Sequence, residues 1–266
     1  MSEVLLKIEN LNKSFGITHA NVNINFELKA GEVRGLAGEN GSGKSTLLSQ
    51  IAGLYGSDSG KMYIRGEEYA PKNPVDANNH KVAMVVQELG MIGSLPASIN
   101  IYLGKTKKFI KMNDLQDQAN AVSDRWGLPR VNLKRMAGSM NIENRKMVEL
   151  IRALAADPDI LILDEVTQSL SHDNRKVLYN LIEKFKGEGR SIILISHDLD
   201  EAIQLTDSIS ILRDGELLET ISSEGLNEDI LKRKMVGREL GGAYYRTDWI
   251  MMTKLYFPSK TLQQRA

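Results

Sequence analysis

The stretch that most narrows the possible folds is GENGSGKS, Gly38 to Ser45. It satisfies the pattern G-x-x-x-x-G-K-[ST], and it stands between a strand candidate, GEVRGLAG, and a segment with helical spacing, STLLSQIAGL. A strand that turns through glycines into a helix curls a row of backbone N–H groups around the helix N-terminus, whose partial positive charge favours an anion. Gly38, Asn40, Gly41, Ser42 and Gly43 form the curl, Lys44 reaches towards the outer phosphates, the Ser45 hydroxyl suits Mg2+, and Thr46 adds a donor. A chance glycine turn would not carry both flanking elements. The expectation is a cradle for a nucleoside triphosphate.

The rest of the chain supplies a sheet to carry that loop. NVNINFEL alternates strictly, with Val22, Ile24, Phe26 and Leu28 on one face, as a half-buried strand does. DILILDE and SIILISH are short continuous apolar runs, the pattern of parallel strands covered on both faces. Between them NRKVLYNLIEKFKGEG reads as an amphipathic helix closed by glycine, and SISILRDGELLET as a hairpin about Asp214-Gly215. KMYIRG and KVAMVVQ read as further strands, and from about Glu88 to Ala155 the spacing is helical, broken at Pro96 and at GLPR. The fold class expected is α/β: a mixed core sheet, an antiparallel β subdomain and an inserted helical subdomain. The boundaries are a core of 1–87 and 156–218, helices within 88–155, one domain to about 240, and a tail of 241–266 without clear period.

ILILDE adds chemistry. A buried strand ending in Asp164 sets a carboxylate where a phosphate-bound metal would sit, and Glu165 beside it can orient an attacking water. Composition limits the partners. Lys+Arg and Asp+Glu both number 34, so net charge gives no general attraction to nucleic acid or anionic lipid. Cysteine is absent, which excludes disulfides and thiolate metal or redox centres. No apolar run approaches the ~20 residues of a membrane span, so any membrane role is expected to be peripheral.

A phosphate loop, a helical insertion, LDE and ISHD, in that order, resemble the ATPase domain of ABC transporters over residues 1 to about 240. The resemblance implies ATP and Mg2+ as the ligands and carries roles onto matching positions. Phe15 looks like the aromatic that stacks on adenine. Gln87, at the end of KVAMVVQ, looks like the glutamine that touches Mg2+ and relays to a membrane subunit. His197 in SHD looks like the histidine that meets the γ-phosphate. Catalysis then falls to Glu165, His197 and Gln87, and the metal to Ser45, Gln87 and Asp164. VVQELGMIGSLPASINIYLG and KMVGREL resemble the branch that energises uptake of simple sugars. That implies membrane-spanning permease subunits as partners, an extracytoplasmic solute-binding protein indirectly, no nucleic acid, and a peripheral place on the cytoplasmic face of the membrane. The alternatives are a soluble ABC ATPase without a transport role and a nucleotide-binding regulatory subunit with little hydrolysis.

One stretch departs from the family. Members carry LSGGQ or a near variant before this helix, where it caps the triphosphate held by the opposing subunit. Here GSMNIENRK places Met140, Asn141, Ile142, Glu143 and Asn144 on those positions. Asn141 is a good N-cap, and Asn144 can pair with it. Glu143 complements the helix dipole by ~0.3–1 kcal/mol, yet at ~4 Å and a dielectric near 20 it would repel each phosphate charge by ~4 kcal/mol before screening. Further along this helix Glu149 and Arg152 read as a solvated or interface face. Ser171 also stands where many relatives have Asp. Family members of the sugar branch usually join two such domains, and this sequence holds one. The expectation is half of an asymmetric ATPase pair, completed by a second ABC ATPase chain with an intact signature or by a second copy.

Overall fold

The computed structural model describes residues 3–86, 90–104 and 111–236. Strands β1 (Val4–Phe15) and β2 (Thr18–Lys29) form a long antiparallel ribbon, and β3 (Val33–Ala37) leads through the phosphate loop into helix α1 (Lys44–Ile51). Strands β4 (Ser59–Ile64) and β5 (Glu67–Glu68) add to β1, giving the antiparallel sheet β2-β1-β4-β5. Helix α2 (Pro74–Asn79), capped by the Asn73 side chain, precedes β6 (Val82–Val85). The helical region expected between the strands is there: α3 (Ala97–Tyr102), α4 (Met112–Trp126) and α5 (Ile142–Leu154), before β7 (Ile160–Asp164). Then come α6 (His172–Gly187), β8 (Ser191–Ile195), α7 (Leu199–Leu205), β9 (Ser208–Arg213), β10 (Glu216–Ser222) and α8 (Glu228–Val236).

The second sheet has the order β10-β9-β3-β8-β7-β6; every neighbouring pair is parallel except the hairpin β9–β10. This is the mixed core sheet of the expected α/β class. Its central strands are covered on both faces, as their unbroken apolar runs require. In β7, Ile160 and Ile162 share a core with Leu47, Leu48 and Ile51 of α1, whereas Leu161 and Leu163 face Leu150 of α5 and Leu181 of α6. Trp126 against Phe185, 5.3 Å between ring centroids, ties α4 to α6. The strands β3, β7 and β8 all end on one edge, at Ala37, Asp164 and Ile195, the edge where open α/β sheets bind ligands.

The reading of Glu149 as part of a solvated or interface face is corrected, while Arg152 stays part-exposed. Glu149 and Lys146 are each 1% exposed, and their side chains meet at 3.0 Å. Lys146 Nζ donates to the Val86 carbonyl at 2.7 Å, Glu149 Oε1 accepts from the Gly90 N–H at 2.9 Å, and Arg152 donates to the Gly90 carbonyl at 3.0 Å. Helical spacing cannot reveal this, because the ions satisfy backbone groups flanking residues 87–89 that only the tertiary fold brings near. Gln87 itself, the segment after Val236 and the tail lie outside the described residues. Among the described residues no helix is long and apolar enough to cross a membrane.

Candidate functional site

The phosphate loop is shaped by what stands behind it. Gly43 caps α1 at φ +99°, and a Cβ there would lie 2.3 Å from the Ala20 carbonyl oxygen and 2.6 Å from Asn21 Nδ2. At Gly38 a Cβ would lie 2.2 Å from the Leu212 carbonyl oxygen. Only glycine lets the loop sit this close to β2 and β9. The brace is polar as well: buried Asn21 donates through Nδ2 to the Gly43 carbonyl at 3.1 Å, and the Gly215 N–H donates to the Ser42 carbonyl at 3.3 Å. Neither Asn21 nor Gly215 stood out in the sequence as part of the loop. Their only signals were a polar residue in an alternating strand and a turn glycine far along the chain.

Lys44, the first residue of α1, donates through Nζ to the carbonyls of Gly38 at 2.8 Å and Glu39 at 3.0 Å. Burial holds its ammonium below the usual lysine range, against the pull of Glu165 and Asp164. One cleft of about 360 Å³ brings Asn40, Gly41, Gly43, Lys44, Ser45 and Thr46 together with Glu165 and His197. Gly38 lies in the adjoining wall with Lys44 and His197, and Ser42 is buried beneath the loop. Phe15 does not line this cleft. It pairs across the β1–β2 turn with Thr18, which does, and its half-exposed ring meets Tyr55 edge-on at 5.2 Å.

Past the end of β7, Glu165 holds φ +52°, a left-handed backbone that costs a side-chain-bearing residue of order 1 kcal/mol. Its N–H donates to the Ile195 carbonyl at 3.0 Å, and its Oε1 stands 2.6 Å from His197 Nε2. Asp164 is 4% exposed, with the Ser45 hydroxyl as a hydrogen-bond partner, and its Oδ1 finds no hydrogen-bond partner among the described residues. A buried carboxylate oxygen in that condition fits a hard cation.

Burial, then the neighbouring Glu165, pushes the Asp164 carboxyl up to about 6, against Lys44, Ser45 and Lys146. A raised pKa means that the folded chain keeps a proton the unfolded chain has lost. Between 3.8 and about 6 the stability therefore falls as pH rises, and it stays lower above that window. Asp164→Asn is accordingly expected to raise the unfolding temperature at about pH 7 and not at about pH 4, without added metal. Thermal scans at the two pH values check this; an equal change at both would remove the linkage.

The helix after MNIEN begins as expected: Asn141 is its N-cap, and its Oδ1 accepts from the Asn144 N–H at 2.8 Å. Glu143, half-buried, turns one carboxylate oxygen to its own chain. Its Oε1 accepts from the Ser171 N–H at 2.8 Å and from Asn174 Nδ2 at 2.7 Å, at the N-terminus of α6 in the same chain. Hydrogen bonds from the Ser171 side chain and backbone hold its carboxyl below the usual carboxylate range. The carboxylate that the sequence sets against a facing triphosphate is thus hydrogen-bonded within its own chain and stays ionised. Glu143→Ala is expected to cost about 1 kcal/mol of stability, and Glu143→Gln little, since the amide oxygen can still accept both bonds. Urea titration of both variants separates these; equal losses would show that the charge, not the acceptor, matters.

Comparison with known proteins agrees with this geometry. Residues 22–168 match the family described as ABC transporter. The chain is 35% identical over 240 residues to a putative ribose/galactose/methyl galactoside import ATP-binding protein of Agrobacterium fabrum, covering 89% of this chain and 47% of that protein. It is 36% identical over 251 residues to an L-arabinose transport ATP-binding protein of Geobacillus stearothermophilus, covering 92% of this chain and 49% of that one. The chain thus spans about half the length of the curated relatives it matches. Among solved structures, an ATP-binding cassette dimer in a post-hydrolysis state with ADP and phosphate superposes with a TM-score of 0.73 at 23% identity, covering 84% of this chain and 100% of that one. A cassette in its ADP conformation gives 0.72 at 22% identity, covering 88% and 95%. These two likenesses bear on the fold.

Proposed function

The chain belongs to the ABC transporter family, and from that premise we propose that it binds and hydrolyses ATP to energise an importer of a monosaccharide or related small solute. The observation that carries the reading is a single cleft in which a phosphate loop with Lys44 and Ser45 faces Glu165 and His197. In this reading Lys44 and the loop N–H groups hold the triphosphate, Glu165 orients and deprotonates the attacking water, and His197, in contact with Glu165, meets the transferring phosphoryl group. Asp164 and Ser45, with Gln87, would hold Mg2+, which when bound neutralises charge on the phosphates. Phe15 and Tyr55 together offer the adenine an exposed aromatic edge beside the cleft. Residues 88–155 act as the helical lobe of one cassette extending to about 240. Sugar as the cargo rests on relatives whose names specify ribose, galactose and arabinose.

The partners proposed are a permease, a solute-binding protein acting through it, and a second cassette, with the chain seated peripherally on the cytoplasmic face of the membrane. The second cassette supplies the signature. In this chain Asn141 caps its own helix and Glu143 binds Ser171 as an anion, so the MNIEN segment has little to offer a facing triphosphate and keeps a negative charge in its first turn. Both features support an asymmetric pair. The test is phosphate release by the full chain alone, with a second cassette of intact signature, and with both reconstituted beside a permease and its binding protein. Turnover is expected to need the second cassette and to rise with a monosaccharide. Equal turnover by the chain alone would dispose of asymmetric pairing, and indifference to every monosaccharide would dispose of a monosaccharide as the cargo.

A further inference from the structure

The pairing of β7 with β8 ends at Asp164 and Ile195. Glu165 and His197 therefore lie beyond the ladder, where the Ile195 carbonyl still receives the Glu165 N–H but no strand pairing fixes the residues farther along. Behind them stands a carboxylate that neither the phosphate loop nor the substrate cleft uses. Glu201, on α7, is 7% exposed. Its Oε2 accepts from Thr167 Oγ1 at 2.7 Å and from Ser196 Oγ at 2.6 Å, and its Oε1 accepts from Tyr179 Oη at 2.5 Å. Thr167 is two residues after Glu165, and Ser196 immediately precedes His197. One oxygen thus joins the continuations of the two strands just past the point where their ladder stops.

The hub is itself anchored. The Glu201 N–H donates to Asp198 Oδ1 at 3.0 Å, and the Asp198 N–H donates to Ser196 Oγ at 3.1 Å, which ties the start of α7 to the residues flanking His197. Arg175 donates to the Thr167 carbonyl at 3.1 Å from α6. Burial, then the hydrogen bond to Glu201, pushes the Tyr179 phenol up to about 12, so it remains a donor throughout the neutral range. A buried carboxylate held by three hydroxyls from three elements is a rigid joint, since each short bond restricts the other two.

We propose that Glu201 is a positioning residue for ATP hydrolysis, bridging Thr167 and Ser196 so that Glu165 and His197 hold their 2.6 Å contact. The proposal rests on the hydrolytic reading above. A displacement of even ~1 Å between such groups costs up to about 100-fold in rate, which sets the scale expected. Glu201→Ala should lower kcat by about 10- to 100-fold with KM for ATP changed less than about threefold, because the phosphate loop is untouched. Glu201→Gln, which keeps one oxygen acceptor, and Ser196→Ala, which removes one of the three donors, should fall between the wild type and Glu201→Ala.

The decisive readout is a cycle with Glu165→Gln, measured on the full chain with its partner cassette at a temperature where circular dichroism shows every variant folded. If Glu201 acts through Glu165, Glu201→Ala should lower the residual turnover of the Glu165→Gln chain by less than about twofold. The same fold loss in both backgrounds, or a kcat that Ser196→Ala and Glu201→Gln leave at the wild-type value, would overturn the proposal. A wild-type chain that turns over no ATP would overturn the hydrolytic reading instead, and this control separates the two failures. Ser196→Ala keeps the carboxylate and its other bonds, so the proposal stays testable if Glu201→Ala does not fold.

Discussion

Glu165→Gln is expected to cut ATP turnover by about 10²- to 10⁴-fold, the usual contribution of a positioned general base. The amide is isosteric and can keep a contact with His197, so the left-handed turn at φ +52° and the cleft should persist. What is lost is proton abstraction from water. Bound ATP should therefore survive in the variant for much longer than in the wild type, because phosphoryl transfer is blocked after binding is complete. Phosphate release and retention of labelled ATP on the same preparation measure the two halves of this expectation. Unchanged turnover would take Glu165 out of the reaction, and lost binding would mean that it serves the fold.

Lys44→Ala should fail one step earlier. The ammonium is the one full positive charge of the phosphate loop, and two backbone carbonyls hold it within the curl. Deleting one partner of a desolvated charge pair costs about 2–5 kcal/mol, so ATP affinity should fall by roughly 30- to several thousand-fold. Without nucleotide the same variant loses two hydrogen bonds to carbonyls and the attraction of Glu165 and Asp164, offset by relief of burying the ammonium, so its stability should change far less than its ATP affinity. Titration calorimetry with ATP, set beside a thermal scan of the nucleotide-free chain, distinguishes a ligand contact from a structural one. A variant that binds ATP as tightly as wild type would remove Lys44 from the site.

Much of this was legible in the residues because local rules wrote it. The strand-loop-helix around Gly38 to Ser45, the continuous apolar runs of β7 and β8, and the hairpin at Asp214-Gly215 depend on neighbours in sequence, and the structure builds each of them. What was not legible depends on partners that arrive from far along the chain. Glu143 reads as aimed at a triphosphate until Ser171 and Asn174 come within hydrogen-bond reach. Glu149 reads as solvated because nothing in helical spacing announces a buried Lys146 beside it and the Gly90 N–H beyond it. Asn21 and Glu201 carried no motif at all. A polar residue in a strand and an acid near a helix start are common, and only the fold reveals that Asn21 bonds the Gly43 carbonyl and Glu201 the hydroxyls of Thr167 and Ser196.

The departures cluster on α5, the helix with the buried ion pair at one end and the altered signature at the other. Both features tie this helix to its own chain: Lys146, Glu149 and Arg152 grip the backbone at Val86 and Gly90, and Glu143 grips the start of α6. In the reading proposed above, such a face is ill suited to close a neighbour's site, and the cleft around Lys44, Glu165 and His197 works once another cassette closes it.

The most direct measurement tracks γ-labelled ATP on the full chain mixed with a second cassette whose own phosphate-loop lysine has been changed to alanine, so that only the site of this chain can act. Release of labelled phosphate that depends on Mg2+, and that stops when Glu165 becomes Gln, is the predicted result. Label held intact by the wild-type chain for as long as by its Glu165→Gln variant would contradict the account at its root.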